Sequence, residues 1–188
     1  MFNVIGDSHS NSYSACKNTR VFVIDSGLSI QNLKTYYKPI LKAIDSKKDE
    51  PWLFVVGELD CRHTIFVESI EKKMTVDDVL EEYVVRLTKF LHVMNSIYKL
   101  YGCTVSPTGD FVDTTSEYRA PREIRQVVTA KYNARLQITC KEKGIPFLEV
   151  WKFGAHPKDM LSMKYFEDGC HIKTKIASER LDKALELR

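Results

Sequence analysis

Two short stretches near opposite ends of the 188-residue chain carry side chains able to do nucleophilic chemistry. The first is Gly6-Asp7-Ser8-His9-Ser10, directly after the apolar run FNVI at 2–5. A buried strand that stops in Gly-Asp-Ser, with helix-capping residues following, puts Ser8 at a strand-to-helix turn. A hydroxyl there sits beside the unpaired N–H groups of the next helix, which can stabilise an oxyanion. Ser8 is therefore a candidate nucleophile. The same residues also describe an ordinary N-cap, made by Ser8 or Ser10. The second stretch is Asp168-Gly169-Cys170-His171. A carboxylate three residues before a histidine can reach its Nδ1–H, fix the tautomer and leave Nε2 to take a proton from a hydroxyl. Read alone, it is better taken as a surface turn with an N-capping Asp. Read with Ser8, it completes a set of nucleophile, base and orienting acid.

Other chemistries find less support. Cys16, Cys61, Cys103, Cys140 and Cys170 are odd in number and include no Cys-x-x-Cys pair. That argues against a disulfide framework or a zinc ribbon and suits free thiols in a reducing compartment. Cys170 near Asp168 is a nucleophile candidate or simply a small buried residue. Cys61 with His63 is too little for a metal site, and no metal or cofactor is expected. Net charge is +3, with basic and acidic residues interspersed and no RNA-binding aromatic motif, so no nucleic-acid partner is expected. No apolar run reaches membrane-spanning length and no leader pattern precedes the first strand, so no membrane partner and a cytoplasmic location are expected.

The elements that must position these residues alternate. Apolar strands are expected at 2–5, 20–24, 52–56, 103–106 and 145–150, the second being buried like the first. Between them, 9–18 suits a short polar helix and 30–46 a helix that Pro39 must start or break. Apolar positions at three- and four-residue spacing mark 75–101 as the longest helix, with Thr75 and Asp78 as a capping box and Gly102 as its stop. Pro121 opens a helix running to about 143 that Gly144 ends, and a last amphipathic helix spans 172–187. Strands alternating with helices at this pitch give one domain with a parallel sheet covered on both faces. Its strand C-terminal ends form the edge where ligands bind. The Gly-Asp-Ser turn, Gly27, residues 57–63 and the polar 108–120 loop all fall on that edge. The 108–120 and 151–170 segments, which include Asp110 and His156, are long enough for substrate-binding loops. His9, directly after the nucleophile, is placed either to line the pocket or, as a first-turn histidine is expected to, to face solvent.

With these blocks in place, the sequence resembles the SGNH (GDSL-type) hydrolases. Gly6-Asp7-Ser8 is similar to that family's nucleophile block, and Gly27 matches the glycine whose N–H contributes to its oxyanion hole. Gly57-Glu58-Leu59-Asp60 falls where the family has Gly-x-Asn-Asp, and Asp168 to His171 matches its Asp-x-x-His block. The resemblance spans essentially the whole chain. It implies a three-layer α/β/α sandwich with a five-stranded parallel sheet in flavodoxin-like order. It also implies a serine esterase acting through Ser8, His171 and Asp168, with Gly27, Gly57, Asp60 and Arg62 at the oxyanion or substrate. One position departs: Leu59 stands where the family has its side-chain oxyanion donor. Glu58 and Asp60 are acceptors when ionised and cannot replace it. Arg62 and His63 carry donors on the same loop, and Arg62 is as readily paired to Asp60 or Glu58. The expected substrate is an ester, O-acetyl for example, of a carbohydrate or small alcohol. Acyl transfer uses the same residues, and a binding module that has lost turnover is the reading Leu59 favours. Oligomeric state is not legible.

Overall fold

The computed structural model describes residues 1–107, 120–151, 163–168 and 171–186. Asp110, His156, Cys170 and most of the 108–120 and 151–170 segments lie outside the described residues. Strands β1 (Phe2–Gly6), β2 (Thr19–Val23), β3 (Trp52–Val55), β4 (Leu100–Cys103) and β5 (Phe147–Leu148) make one parallel sheet in the order β2-β1-β3-β4-β5. This is the flavodoxin-like order, and its switch point lies where the chain turns from one side of β1 to the other.

Alternation along the strands sorts side chains into two cores. Ile5, Trp52 and Phe54 face one side, under α1 (Leu33–Asp45), α3 (Val76–Asn95) and α4 (Arg122–Glu142). Phe2, Val4, Leu53 and Val55 face the other, where α5 (Thr174–Glu186) contributes Ala177 and Leu181. The sheet is thus covered on both faces, as a parallel sheet requires. β2 is an edge strand, half-buried instead of buried, and Val23 is 41% exposed. Its apolar run reads the same in either place, because β-branched residues suit edge and centre alike.

Several boundaries differ from the expected ones for physical reasons. The stretch after β1 is a 3-10 turn, Ser8–Tyr13. Pro39 sits inside α1 and neither starts nor breaks it. Pro39 and Thr35 are both exposed, so water can take the carbonyl that Pro39 cannot serve. Thr75 caps α3 by accepting from the Asp78 N–H at 3.1 Å, as the capping box implies. The helix ends at Asn95, and Gly102 lies within β4. A Cβ at Gly102 would come within 2.9 Å of Leu91 Cδ1, so this glycine lets α3 settle on the strand. Residues 60–64 form a π-turn running into α2 (Ile65–Glu71), an element of seven residues, too short to show a helical period.

Candidate active site

β1 delivers Ser8 by a turn that only glycine permits. A Cβ on Gly6 would lie 1.8 Å from the Val55 carbonyl oxygen, because β1 and β3 close on each other here. The next residue, Asp7, caps the 3-10 turn by accepting from the His9 N–H at 2.9 Å. The cap is therefore Asp7, not Ser8 or Ser10, and Ser8 stands at the first position with its hydroxyl free to project.

Asp168 and His171 approach from the other end of the chain. An antiparallel bridge between Phe166 and Ile172, both buried in the second core, pins the segment that carries them. The Glu167 N–H donates to the His171 carbonyl at 2.8 Å. Asp168 accepts twice from His171: from the backbone N–H at 2.7 Å and, through its other oxygen, from Nδ1 at 2.7 Å. His171 Nε2 lies 2.9 Å from Ser8 Oγ. A carboxylate holding Nδ1–H leaves Nε2 to accept, so the arrangement can take a proton from the serine hydroxyl. These three residues, 163 positions apart at the extremes, meet in a cavity of about 110 Å³ lined also by Asp7, His9, Ser26, Leu59 and Arg62.

The remaining expected site residues divide. Arg62 lines the cavity, and its Nε donates to both oxygens of Glu58 at 3.1 Å. Glu58, not Asp60, is its ion-pair partner, because the helical path from 58 onward sets the two one turn apart. Leu59 lines the cavity where a side-chain donor was sought. Gly27 lies beside the site, but its N–H donates to Asp25 Oδ1 at 2.7 Å and is not a ready oxyanion donor. Gly57 has φ +113°, and a Cβ there would come within 3.2 Å of Ile30 and Val105, so it serves the turn after β3. Asp60 is fully buried away from the cavity and accepts from the Ile30 N–H at 2.8 Å, tying the loop before α1 to the π-turn. Burial pushes its carboxyl up to about 7; the Ile30 amide opposes this and the Asp7 carboxylate adds to it.

One group has a larger part than its sequence context suggests. His9 is buried, not solvated, and its ring lies between two buried carboxylates. Nδ1 is 3.4 Å from Asp7 Oδ1 and Nε2 is 3.3 Å from Glu58 Oε2. Its ring also lies against that of His171, with centroids 4.5 Å apart and planes at 35°. The signal for this cluster was the i,i+4 spacing of Glu58 and Arg62, which sets the acid under the site only once that stretch is helical. The described cysteines, in contrast, are all buried free thiols, and burial pushes Cys16 and Cys140 up to about 11. Such thiols are poor nucleophiles. Among the described residues no group of three His, Cys, Asp or Glu side chains is placed to hold a metal ion, and no helix is long and apolar enough to cross a membrane.

The sheet order, the two covered faces and the placement of these blocks at strand ends define the fold of the SGNH (GDSL-type) hydrolases. Among solved structures, the chain is similar to a candidate acylhydrolase from Bacteroides fragilis (TM-score 0.66, 13% identity, covering 99% of this chain and 84% of that one). It is likewise similar to a GDSL-like lipase from Bacteroides thetaiotaomicron (0.64, 12%, covering 99% and 85%). A third is an acetylxylan esterase from Geobacillus stearothermophilus (0.58, 14%, covering 98% and 91%). Variants of that esterase described as catalytic mutants replace a serine and an aspartate by alanine. The sequence itself matches no protein-family model and no curated protein.

Proposed function

We propose that the protein is a serine esterase that hydrolyses a small acyl ester, such as an O-acetyl group, of a carbohydrate or small alcohol. The observation that carries this reading is the hydrogen-bonded line from Asp168 through His171 to Ser8 Oγ, with contacts of 2.7 and 2.9 Å. Ser8 Oγ attacks the acyl carbonyl carbon while His171 Nε2 takes the hydroxyl proton, and Asp168 stabilises the imidazolium that forms. Collapse of the tetrahedral intermediate breaks the ester C–O bond, and His171 returns the proton to the leaving alcohol. Water then attacks the acyl-enzyme, giving its proton to His171, and the acid departs as Ser8 is regenerated.

The oxyanion falls to the Ser8 amide and the Arg62 guanidinium, since Leu59 offers no donor and the Gly27 amide is engaged by Asp25. Arg62 suits this part because Glu58 holds it at Nε and it lines the cavity beside Ser8. A small cavity favours a short acyl group, and the acetylxylan esterase among the structural neighbours is consistent with that. The loss of two expected oxyanion donors also favours a second reading, a binding module that no longer turns over.

Hydrolysis of p-nitrophenyl acetate by the purified protein tests both readings. Turnover that falls at least about 10³-fold in Ser8→Ala and His171→Ala is expected of the esterase. Equal rates in the parent and both variants would refute it.

A further inference from the structure

His9 takes part in no step of the proposed reaction, yet its ring is buried directly against the His171 ring. It is 6% exposed, its backbone N–H is tied to Asp7, and its two nitrogens lie 3.4 and 3.3 Å from Asp7 and Glu58. Glu58 is itself fixed by Arg62. His171 is less secure. The Asp168 side chain that orients it is 54% exposed, so water competes for the carboxylate and weakens its hold on the ring. The contact with Ser8 Oγ is lost each time the serine is acylated, so it cannot hold the ring through turnover. Among the described residues, ring-on-ring contact with the buried His9, at 4.5 Å between centroids, is a restraint on the imidazole itself that does not depend on the acyl group.

We propose that His9 is a positioning residue: a buried aromatic platform, clamped between Asp7 and Glu58, that holds the His171 ring so that Nε2 stays aimed at Ser8. This inference rests on the reading of Ser8, His171 and Asp168 as the reacting groups. It assigns a purpose to the buried Asp7 and Glu58 carboxylates, which flank the His9 ring on its two nitrogen edges. A misaligned base is costly because proton transfer needs a near-attack geometry, and a displacement of about 1 Å can cost about 10²-fold in rate.

Two variants separate the platform from general packing. His9→Gln keeps polar atoms near Asp7 and Glu58 but has no ring; His9→Phe keeps the ring without its nitrogens. The platform predicts that His9→Gln loses about 10- to 100-fold in kcat with KM little changed, and that His9→Phe recovers most of it. Full kcat in a folded His9→Gln protein, or a folded His9→Phe protein as impaired as His9→Gln, would overturn it. Because Phe sets an apolar ring against two carboxylates and can fail to fold, a spectroscopic arm stands beside the kinetics. In Ser8→Ala protein, the downfield Nδ1 proton of His171 and its cross-relaxation with the His9 ring are expected, both lost on adding His9→Gln. An Nδ1 signal that is unchanged by His9→Gln would equally overturn the platform. This arm needs no turnover, so it reads the His9 contact even if Ser8→Ala leaves hydrolysis intact and the esterase reading fails.

Discussion

Replacing Asp60 by asparagine should stabilise the protein in a manner that depends on pH. The carboxyl is fully buried and one oxygen accepts from the Ile30 N–H, with the Gln31 amide also favouring the ionised form, while its other oxygen has no hydrogen-bond partner among the described residues. Desolvation raises its pKa from 3.8 to about 7. Between those values the folded protein keeps a proton that the unfolded chain releases, so stability falls as pH rises through this window and is lowest above it. From pH 5 to pH 8 the remaining part of that window is worth about 3 kcal/mol. Asparagine keeps the acceptor for Ile30 and does not titrate. The parent should therefore lose about 3 kcal/mol relative to Asp60→Asn over this interval, whatever the other groups do in both proteins. Asparagine's amide, buried without an acceptor, costs about 1–3 kcal/mol at every pH and offsets part of the absolute gain. Urea unfolding of both proteins at pH 5 and pH 8 gives the double difference directly. A difference between parent and variant that is the same at both pH values would refute the assignment of a buried, protonatable Asp60.

Two further outcomes follow from the geometry around Ser8. Leu59→Asn places an amide donor in the cavity lining, and it should raise kcat for p-nitrophenyl acetate by about 10-fold or more, since one such donor is worth about 10²–10³ in a comparable site; an unchanged or lower kcat would show that position 59 does not face the oxyanion. Gly6→Ala forces a methyl against the Val55 carbonyl, where 1.8 Å is available, and should cost about 3 kcal/mol or more, read as a fall in Tm or loss of soluble protein. A Gly6→Ala protein as stable as the parent would contradict the close approach of β1 and β3.

The parts of the site that sequence made legible are those governed by local pattern. An apolar run ending in Gly-Asp-Ser leaves its strand there, and Asp168 three residues before His171 can bring a carboxylate within reach of the ring, as it does at 2.7 Å. The amphipathic stripe of α3 likewise appears as buried Val79, Leu80, Tyr83, Val84, Leu87, Leu91 and Met94. What was not legible depends on packing between distant elements. Gly102 reads as a helix stop because nothing local says that Leu91 will press on it. Asp60 reads as a site residue because its loop lies at the right edge, yet the π-turn rotates it inward to Ile30. His9 follows the serine on a short turn and reads as solvated until Glu58, nearly fifty residues later, closes over it. Gly27 sits where a glycine N–H is wanted, but the side chain two residues earlier takes the hydrogen.

The most direct test of the account is labelling of the intact protein with a fluorophosphonate, followed by peptide mass spectrometry to locate the adduct. A serine hydroxyl 2.9 Å from a histidine held by a carboxylate should be phosphonylated stoichiometrically at Ser8, and far more slowly in His171→Ala. No adduct in the parent, or an adduct on a residue other than Ser8, would contradict it.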